Sequence, residues 1–237
     1  MMEEKRMYKN YEDILSVNLI SYTQPDDQFF NNKFLQDGIT NLITYCARVS
    51  NPSNQNNIET SDKLINYLIK NKHWSPFEMT NVCLEVTSTR DIVRQILRHR
   101  SFSFQEFSQR YADPTKELEF CLRECRLQDT KNRQNSISLD DEFTNYQLAN
   151  TWEQLQTEVI SIAKLNYEYA ISQGVAKEVA RVLLPEGNTV SRVYINGTIR
   201  SWIHYIEVRD GNGTQKEHML VAHACAEAIN KIFPYIK

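Results

Sequence analysis

Two spacings of apolar residues divide this chain into candidate helices and strands. Leu64, Ile65, Leu68 and Ile69 fall on one helix face behind Ser61-Asp62, which can cap it, and that helix should end by residues 71–73, ahead of Pro76. Val82, Leu84 and Val86 alternate with Cys83, Glu85 and Thr87, a strand pattern. Thr89 opens a helix over 90–100 with the stripe Ile92, Val93, Ile96 and Leu97. Residues 101–105 then alternate again, Phe102 and Phe104 against Ser101, Ser103 and Gln105. Residues 127–143 are polar and read as a loop or insertion. Leu148, Trp152, Leu155, Val159 and Ile162 mark the longest helix, their stripe reads as core packing, and Gly174 can terminate it. A short helix over 177–184 stops at Pro185. Residues 193–195 read as a short extended piece, and 200–209 and 215–233 as helices. In the last of these, Leu220, Ala224 and Ala228 suit core or a subunit interface. Residues 1–60 are polar and mixed, with an Asn-rich loop at 51–57. The sum is helix-rich with a few strands, an α+β chain. No internal boundary is sharp enough to split residues 1–237, so one domain is expected.

Length and composition change this picture little. The chain has 237 residues, 41% apolar and 24% charged, which suits a soluble protein with a sizeable core. No apolar run approaches a membrane span, and Met1-Met2-Glu3-Glu4-Lys5-Arg6 has no signal core behind it, so the expected location is the cytoplasm. Cys46, Cys83, Cys121, Cys125 and Cys225 are odd in number and sparse, which reads as reduced thiols. Cys121 and Cys125 could share a helix face. They lack metal-ligand spacing, as do His218 and His223, and no metal is expected.

Charge is informative locally. The whole chain carries −3. Between residues 90 and 110, five arginines (Arg90, Arg94, Arg98, Arg100, Arg110) stand against two acids, Asp91 and Glu106. Arg90, Arg94 and Arg98 fall on one face at i, i+4, i+8, with nothing obvious on that face to neutralise them. Distant carboxylates could pair with them; an anionic ligand could do so instead, because guanidinium forks match phosphate. Only six glycines exist, without a P-loop or a dinucleotide fingerprint, so any phosphate must be held by side chains. The interleaved Phe102, Phe104, Phe107 and Tyr111 also admit stacking on single-stranded RNA, which the negative net charge disfavours.

Arg98-His99-Arg100, followed by Ser103, Gln105-Glu106, Ser108 and Arg110-Tyr111, resembles the signature of the flavin-dependent thymidylate synthases. Ala47-Arg48-Val49-Ser50 and His73-Trp74-Ser75-Pro76-Phe77-Glu78 are similar to that family's upstream blocks. Glu178-Val179-Ala180-Arg181 with Leu184-Pro185, then Arg200-Ser201-Trp202, His204 and Arg209, are similar to the downstream ones. The resemblance covers residues 45–230. It implies the family's own fold, with a small mostly antiparallel sheet, in a homotetramer whose active sites are shared between subunits. It also implies methylation of dUMP to dTMP, with methylenetetrahydrofolate as carbon donor and reduced FAD, regenerated by NADPH, as hydride donor.

The resemblance carries roles onto residues. Gln95, Arg98, Glu106, Phe107, Ser108, Gln109, Arg110, Arg181 and Arg209 would contact dUMP, and Arg209 would polarise the uracil and favour ionisation at N3. Ser75, Arg98, His99, Arg100, Glu106, Thr198, Arg200 and His204 would contact FAD. His73, Gln105 and Asn196 are further candidates. Thr198 stands where many members carry Asn, with Asn196 nearby, and Gln105 likewise stands where many carry Asn. The unrelated thymidylate synthase class attacks uracil with a cysteine that follows a proline; this chain has no Pro-Cys pair. A relative that binds nucleotides without turnover is the remaining alternative, against which Arg209, Arg181 and Ser108 speak.

Overall fold

A computed structural model describes residues 7–140, 143–211 and 213–236. The first six residues and residues 141–142 of the 127–143 segment, both considered above, lie outside the described residues. At the centre is an antiparallel sheet of β1 (Ser16–Tyr22), β2 (Asn81–Thr89), β3 (Ser103–Glu106) and β4 (Val190–Thr198), in spatial order β1-β2-β4-β3. β2 and β4 pair from Asn81 opposite Thr198 to Thr89 opposite Val190. β3 pairs with β4 from Ser103 opposite Asn196 to Glu106 opposite Val193. The helices that matter below are α1 (Gly38–Ala47), α2 (Ser61–Lys70), α3 (Arg90–Ile96), α4 (Phe143–Ser172), α5 (Ile199–Arg209) and α6 (Lys216–Asn230). The α+β reading with a small antiparallel sheet therefore holds.

The alternation in β2 and β4 makes the core. Val82, Leu84, Val86, Val193 and Ile195 all point inward and are buried. Trp202, Tyr205 and Ile206 of α5 join them, with Val221, Cys225 and Ile229 of α6. Each such aliphatic side chain contributes roughly 1.5–3 kcal/mol on burial. Trp202 Nε1 also donates to the Val82 carbonyl at 3.0 Å, tying α5 to the sheet.

Several elements exceed what the pattern predicts. β4 runs nine residues rather than three. Its inward position at Gly197 carries no side chain, because the Phe102 ring fills that space; a Cβ there would lie 2.3 Å from the ring. β1 was not anticipated: it is an edge strand, with Val17 and Leu19 only partly buried against the core. α1 was hidden because Asn41 and Thr44 are buried polar residues. Thr44 and Asn41 both bond the Ser61 hydroxyl at 3.0 Å, so burial is offset by hydrogen bonds rather than by apolar character. The 127–143 segment contains a hairpin strand, Ser136–Ser138 paired with Arg126–Gln128, and the start of α4. The expected helix over 90–100 ends at Ile96. Cys121 lies in a short strand paired with Lys9–Asn10, so it shares no helix face with Cys125.

The long helix corrects the reading of its apolar stripe. α4 ends as expected, with Gly174 at φ +83° beyond it. Ile160 and Tyr167 of its buried face pack with Phe120, Leu122, Ala180 and Leu184, and Ala163 is buried too. The stripe through Trp152 is not core: Leu155, Val159 and Ile162 are 52%, 52% and 60% exposed. One helix cannot bury two apolar seams against one small layer, and the seam with the larger residues is left facing outward.

Candidate active site

The arginines on and after α3 separate into two groups. Arg90 sits 3.4 Å from the Glu106 carboxylate and 3.8 Å from Glu186, and Arg94 meets Glu186 at 2.5 Å. Distant carboxylates thus neutralise two of the three arginines that the spacing left open. Arg98 and Arg100 lie beyond the end of α3, are exposed, and have no carboxylate partner among the described residues.

Between them His99 turns inward. Its ring stands edge-on to Tyr205 at 4.9 Å, and its Nε2 accepts a 2.9 Å hydrogen bond from Arg209 Nε at the end of α5. Burial lowers its pKa to about 4, with Arg209 and His204 adding to the effect, so the ring is neutral at pH 7 and can accept. Arg209 is thereby fixed through Nε, while its two terminal nitrogens have no hydrogen-bond partner among the described residues. It too has no carboxylate partner among the described residues.

Gln95 is half-buried. Its amide donates to Gln215 at 2.8 Å and faces His218 Nδ1 at 3.3 Å. Glu106 accepts from Arg90 and, at 3.0 Å, from Ser191. Phe107 bonds through its backbone N–H to the Arg192 carbonyl, and Ser108 starts a turn that closes on Tyr111. Gln109 is buried. Arg110 pairs with Glu178 at 3.1 Å, and Arg181 donates to the Glu178 carbonyl at 3.2 Å. Two residues assigned to one ligand from distant parts of the sequence thus meet at Glu178.

A second group surrounds a cleft of about 470 Å³ lined by Trp74, Ser101, Arg200 and His204. Arg200 is ion-paired with Glu78 across it. Thr198 caps α5, its hydroxyl accepting from the Ser201 N–H at 3.2 Å; the short side chain suits that position. Ser75 is exposed at the start of the short helix Ser75–Met79. His73 is exposed beside the Tyr67 ring. Asn196 and Gln105 lie on exposed positions of β4 and β3.

β3 separates the two groups. Arg98, Arg100 and Ser101 precede it, and Ser108 and Arg110 follow it. Its three steps advance about 10 Å at ~3.3 Å each.

Sequence reasoning missed the acidic and basic cluster behind Gln95. Glu217, whose side chain is 3% exposed, meets Arg123 at 3.0 Å and Arg126 at 2.7 Å. Arg123 also reaches Asp91 at 2.6 Å and lies over the Tyr11 ring. Burial pushes the Glu217 carboxyl up, but Arg123 and Arg126 outweigh that and hold it below the ordinary value. No local pattern marks these residues, which come from three separate segments. Among the described residues no group of three or more His, Cys, Asp or Glu is arranged for a metal, and no helix is long and apolar enough to cross a membrane.

Comparison with known proteins bears on this arrangement. The profile of the family described as "Thymidylate synthase complementing protein" matches residues 35–235. The chain is 46% identical over 222 residues to a flavin-dependent thymidylate synthase of Synechocystis, covering 94% of this chain and 97% of that one. It is 45% identical, with the same coverage, to a protein of Paramecium bursaria Chlorella virus 1 named "Probable flavin-dependent thymidylate synthase". In fold it is similar to a UMP/dUMP methylase of Streptomyces cacaoi solved with 5-Br dUMP, with a TM-score of 0.72 at 23% identity, covering 92% of this chain and 90% of that one.

Proposed function

Because this chain belongs to the flavin-dependent thymidylate synthase family, we propose that the arginines of its site, those without a carboxylate and those in exposed pairs, receive the anionic partners of that reaction. The protein methylates dUMP to dTMP. Methylenetetrahydrofolate gives the carbon; FAD, when bound, supplies the hydride and is reduced again by NADPH. The observation that carries this reading is Arg209, a cation fixed by a neutral histidine and left without a carboxylate.

Arg209 holds positive charge beside the uracil and stabilises the anion formed by ionisation at N3. A fixed donor of this kind is worth about 3 kcal/mol, because its orientation is set before the charge develops. Arg110 and Arg181 take the dUMP phosphate. The exposed Arg110–Glu178 pair contributes little, about 0–1 kcal/mol, so a phosphate dianion can displace Glu178. Gln95, Arg98 and residues 106–109 complete the dUMP site, with the Glu106 carboxylate oriented by Arg90 and Ser191.

The residues present fit FAD. Arg98 and Arg100 offer guanidiniums with no carboxylate partner among the described residues to a pyrophosphate, and Arg200 and His204 line the cleft beside Ser101; Ser75, His99 and Thr198 are within two residues of its lining in sequence, and Glu106 stands at the far end of β3. The route needs no protein nucleophile, and the cysteines suit none: no Pro-Cys pair exists, and burial raises all five thiols above the ordinary value.

The active assembly is a homotetramer with shared sites. Two features support this. The outward seam Leu148, Trp152, Leu155, Val159, Ile162 repeats at four and three residues, the spacing of helix-on-helix packing. The ligand contacts also divide at the two ends of β3. The core running from Tyr11 to Ile236 supports one domain over residues 1–237, and five free thiols suit the cytoplasm. Val159→Asp should yield monomers by light scattering and lose dTMP formation; an active monomer would refute shared sites.

The decisive assay mixes purified protein anaerobically with dUMP, methylenetetrahydrofolate and NADPH, with and without FAD. dTMP should form only with FAD. Product from flavin-free protein would refute the flavin route, and none from the FAD-loaded protein would refute the activity.

A further inference from the structure

We propose that Glu217 is a positioning residue for Gln95, setting through Gln215 which end of the Gln95 amide faces His218 and so the order of the donor and acceptor left for the bound nucleotide. This rests on the reading of Gln95 as a dUMP contact. The hydrogens are ordered along a chain of side chains. Glu217 is ionised and can only accept. Gln215 Nε2, 3.0 Å from it, must therefore donate, which turns Gln215 Oε1 toward Gln95. Gln95 Nε2 then donates to that oxygen at 2.8 Å, which turns Gln95 Oε1 toward His218.

His218 closes the chain. It is fully buried, and its Nδ1 lies 3.3 Å from Gln95 Oε1, an acceptor, so Nδ1 carries the proton. Its Nε2 must then accept from the Tyr205 hydroxyl at 3.1 Å. A neutral imidazole offers one donor and one acceptor, and that matches. Burial, with Arg209 and His99, lowers the His218 pKa to about 3, and burial keeps Tyr205 protonated. Reversing Gln95 alone would set its oxygen against that of Gln215. Reversing both would set the Gln215 oxygen against the carboxylate. The direction is therefore fixed by one buried charge. Gln95 is left with one free N–H and one free lone pair in a defined order, which suits the alternating donors and acceptors of a pyrimidine edge.

Nitrogen-15 spectra of the histidine-labelled holoenzyme, with His218 identified by its loss in His218→Asn, test this directly. The expected form of His218 is the Nδ1–H tautomer. Gln215→Leu cuts the chain while leaving Glu217 on its arginines. It should shift His218 toward the Nε2–H tautomer and weaken dUMP binding by about three- to tenfold, the effect of leaving one side chain unordered. An Nε2–H tautomer in the unmodified protein overturns the proposal, as does Gln215→Leu with tautomer and dUMP dissociation constant both unchanged. If the tautomer is as expected but Gln95→Ala binds dUMP normally, it is the substrate contact that fails, and the positioning role falls with it.

Discussion

Two sets of arginines in this protein differ in nothing the residue type can express, yet they serve opposite ends. Arg90, Arg94, Arg123 and Arg126 are closed by Glu106, Glu186, Asp91 and Glu217, brought to them from other parts of the chain, with Glu124 added beside Arg126. Arg98, Arg100 and Arg209 have no such partner among the described residues; Arg209 is held instead by a neutral imidazole. The first set joins elements to each other. The second set keeps its charge for something the chain does not itself contain. What separates them is the reach of carboxylates in three dimensions, not local charge density.

The largest expected effect lies in the closed set. Glu217→Ala would remove the most buried partner of Arg123 and Arg126, whose side chains are only 12–13% exposed, and leave them to the more exposed Asp91 and Glu124. Removing one partner of a buried pair costs about 3–5 kcal/mol. At ~2–4 °C per kcal/mol for a chain of this size, the thermal midpoint should fall by roughly 10 °C. A fall within about 2 °C would mean the cluster contributes nothing, and the division between the two sets would lose its energetic meaning.

The open set should respond in the reverse sense. Arg209→Ala removes a cation that joins no other charged group, so stability should change by under about 1 kcal/mol. The rate of dTMP formation should fall by ~100-fold or more, corresponding to about 3 kcal/mol of lost charge stabilisation. FAD should remain bound, which its absorbance after gel filtration would report. Normal turnover would remove Arg209 from the mechanism.

The contrast also explains what could be read beforehand. α2 and β2 followed from apolar spacing alone, because their inward positions are filled by their own side chains, whereas the long helix followed from a stripe that faces outward. β4 was shortened because Gly197 yields its place to Phe102, and α1 was missed because Asn41 and Thr44 hide its period behind buried hydrogen bonds. The stripe through Trp152 looked like core because periodicity reports an apolar face, not what covers it. In the site, the run from Arg98 to Arg110 was legible because it is contiguous. Which arginines were free was not, since Glu186 and Glu178 lie some 70–90 residues away from their partners. The meeting of Gln95, Gln215, His218 and Glu217 has no linear signal at all.

The finest test sets Arg94 against Arg98. The two are one helical turn apart, both exposed, and lose the same charge on substitution by Gln. Arg94→Gln breaks the surface pair with Glu186, worth about 0–1 kcal/mol, and should leave FAD affinity unaltered. Arg98→Gln breaks no pair, so its stability should stay within about 0.5 kcal/mol, as for an ordinary surface change. Its FAD and dUMP dissociation constants should nevertheless rise. Losing a charge-assisted hydrogen bond of roughly 1.5–3 kcal/mol corresponds to about ten- to a hundredfold. Denaturant titration and ligand titration on the same two proteins would thus give opposite rankings. If they ranked alike, an unpaired arginine here would be only a solvated one.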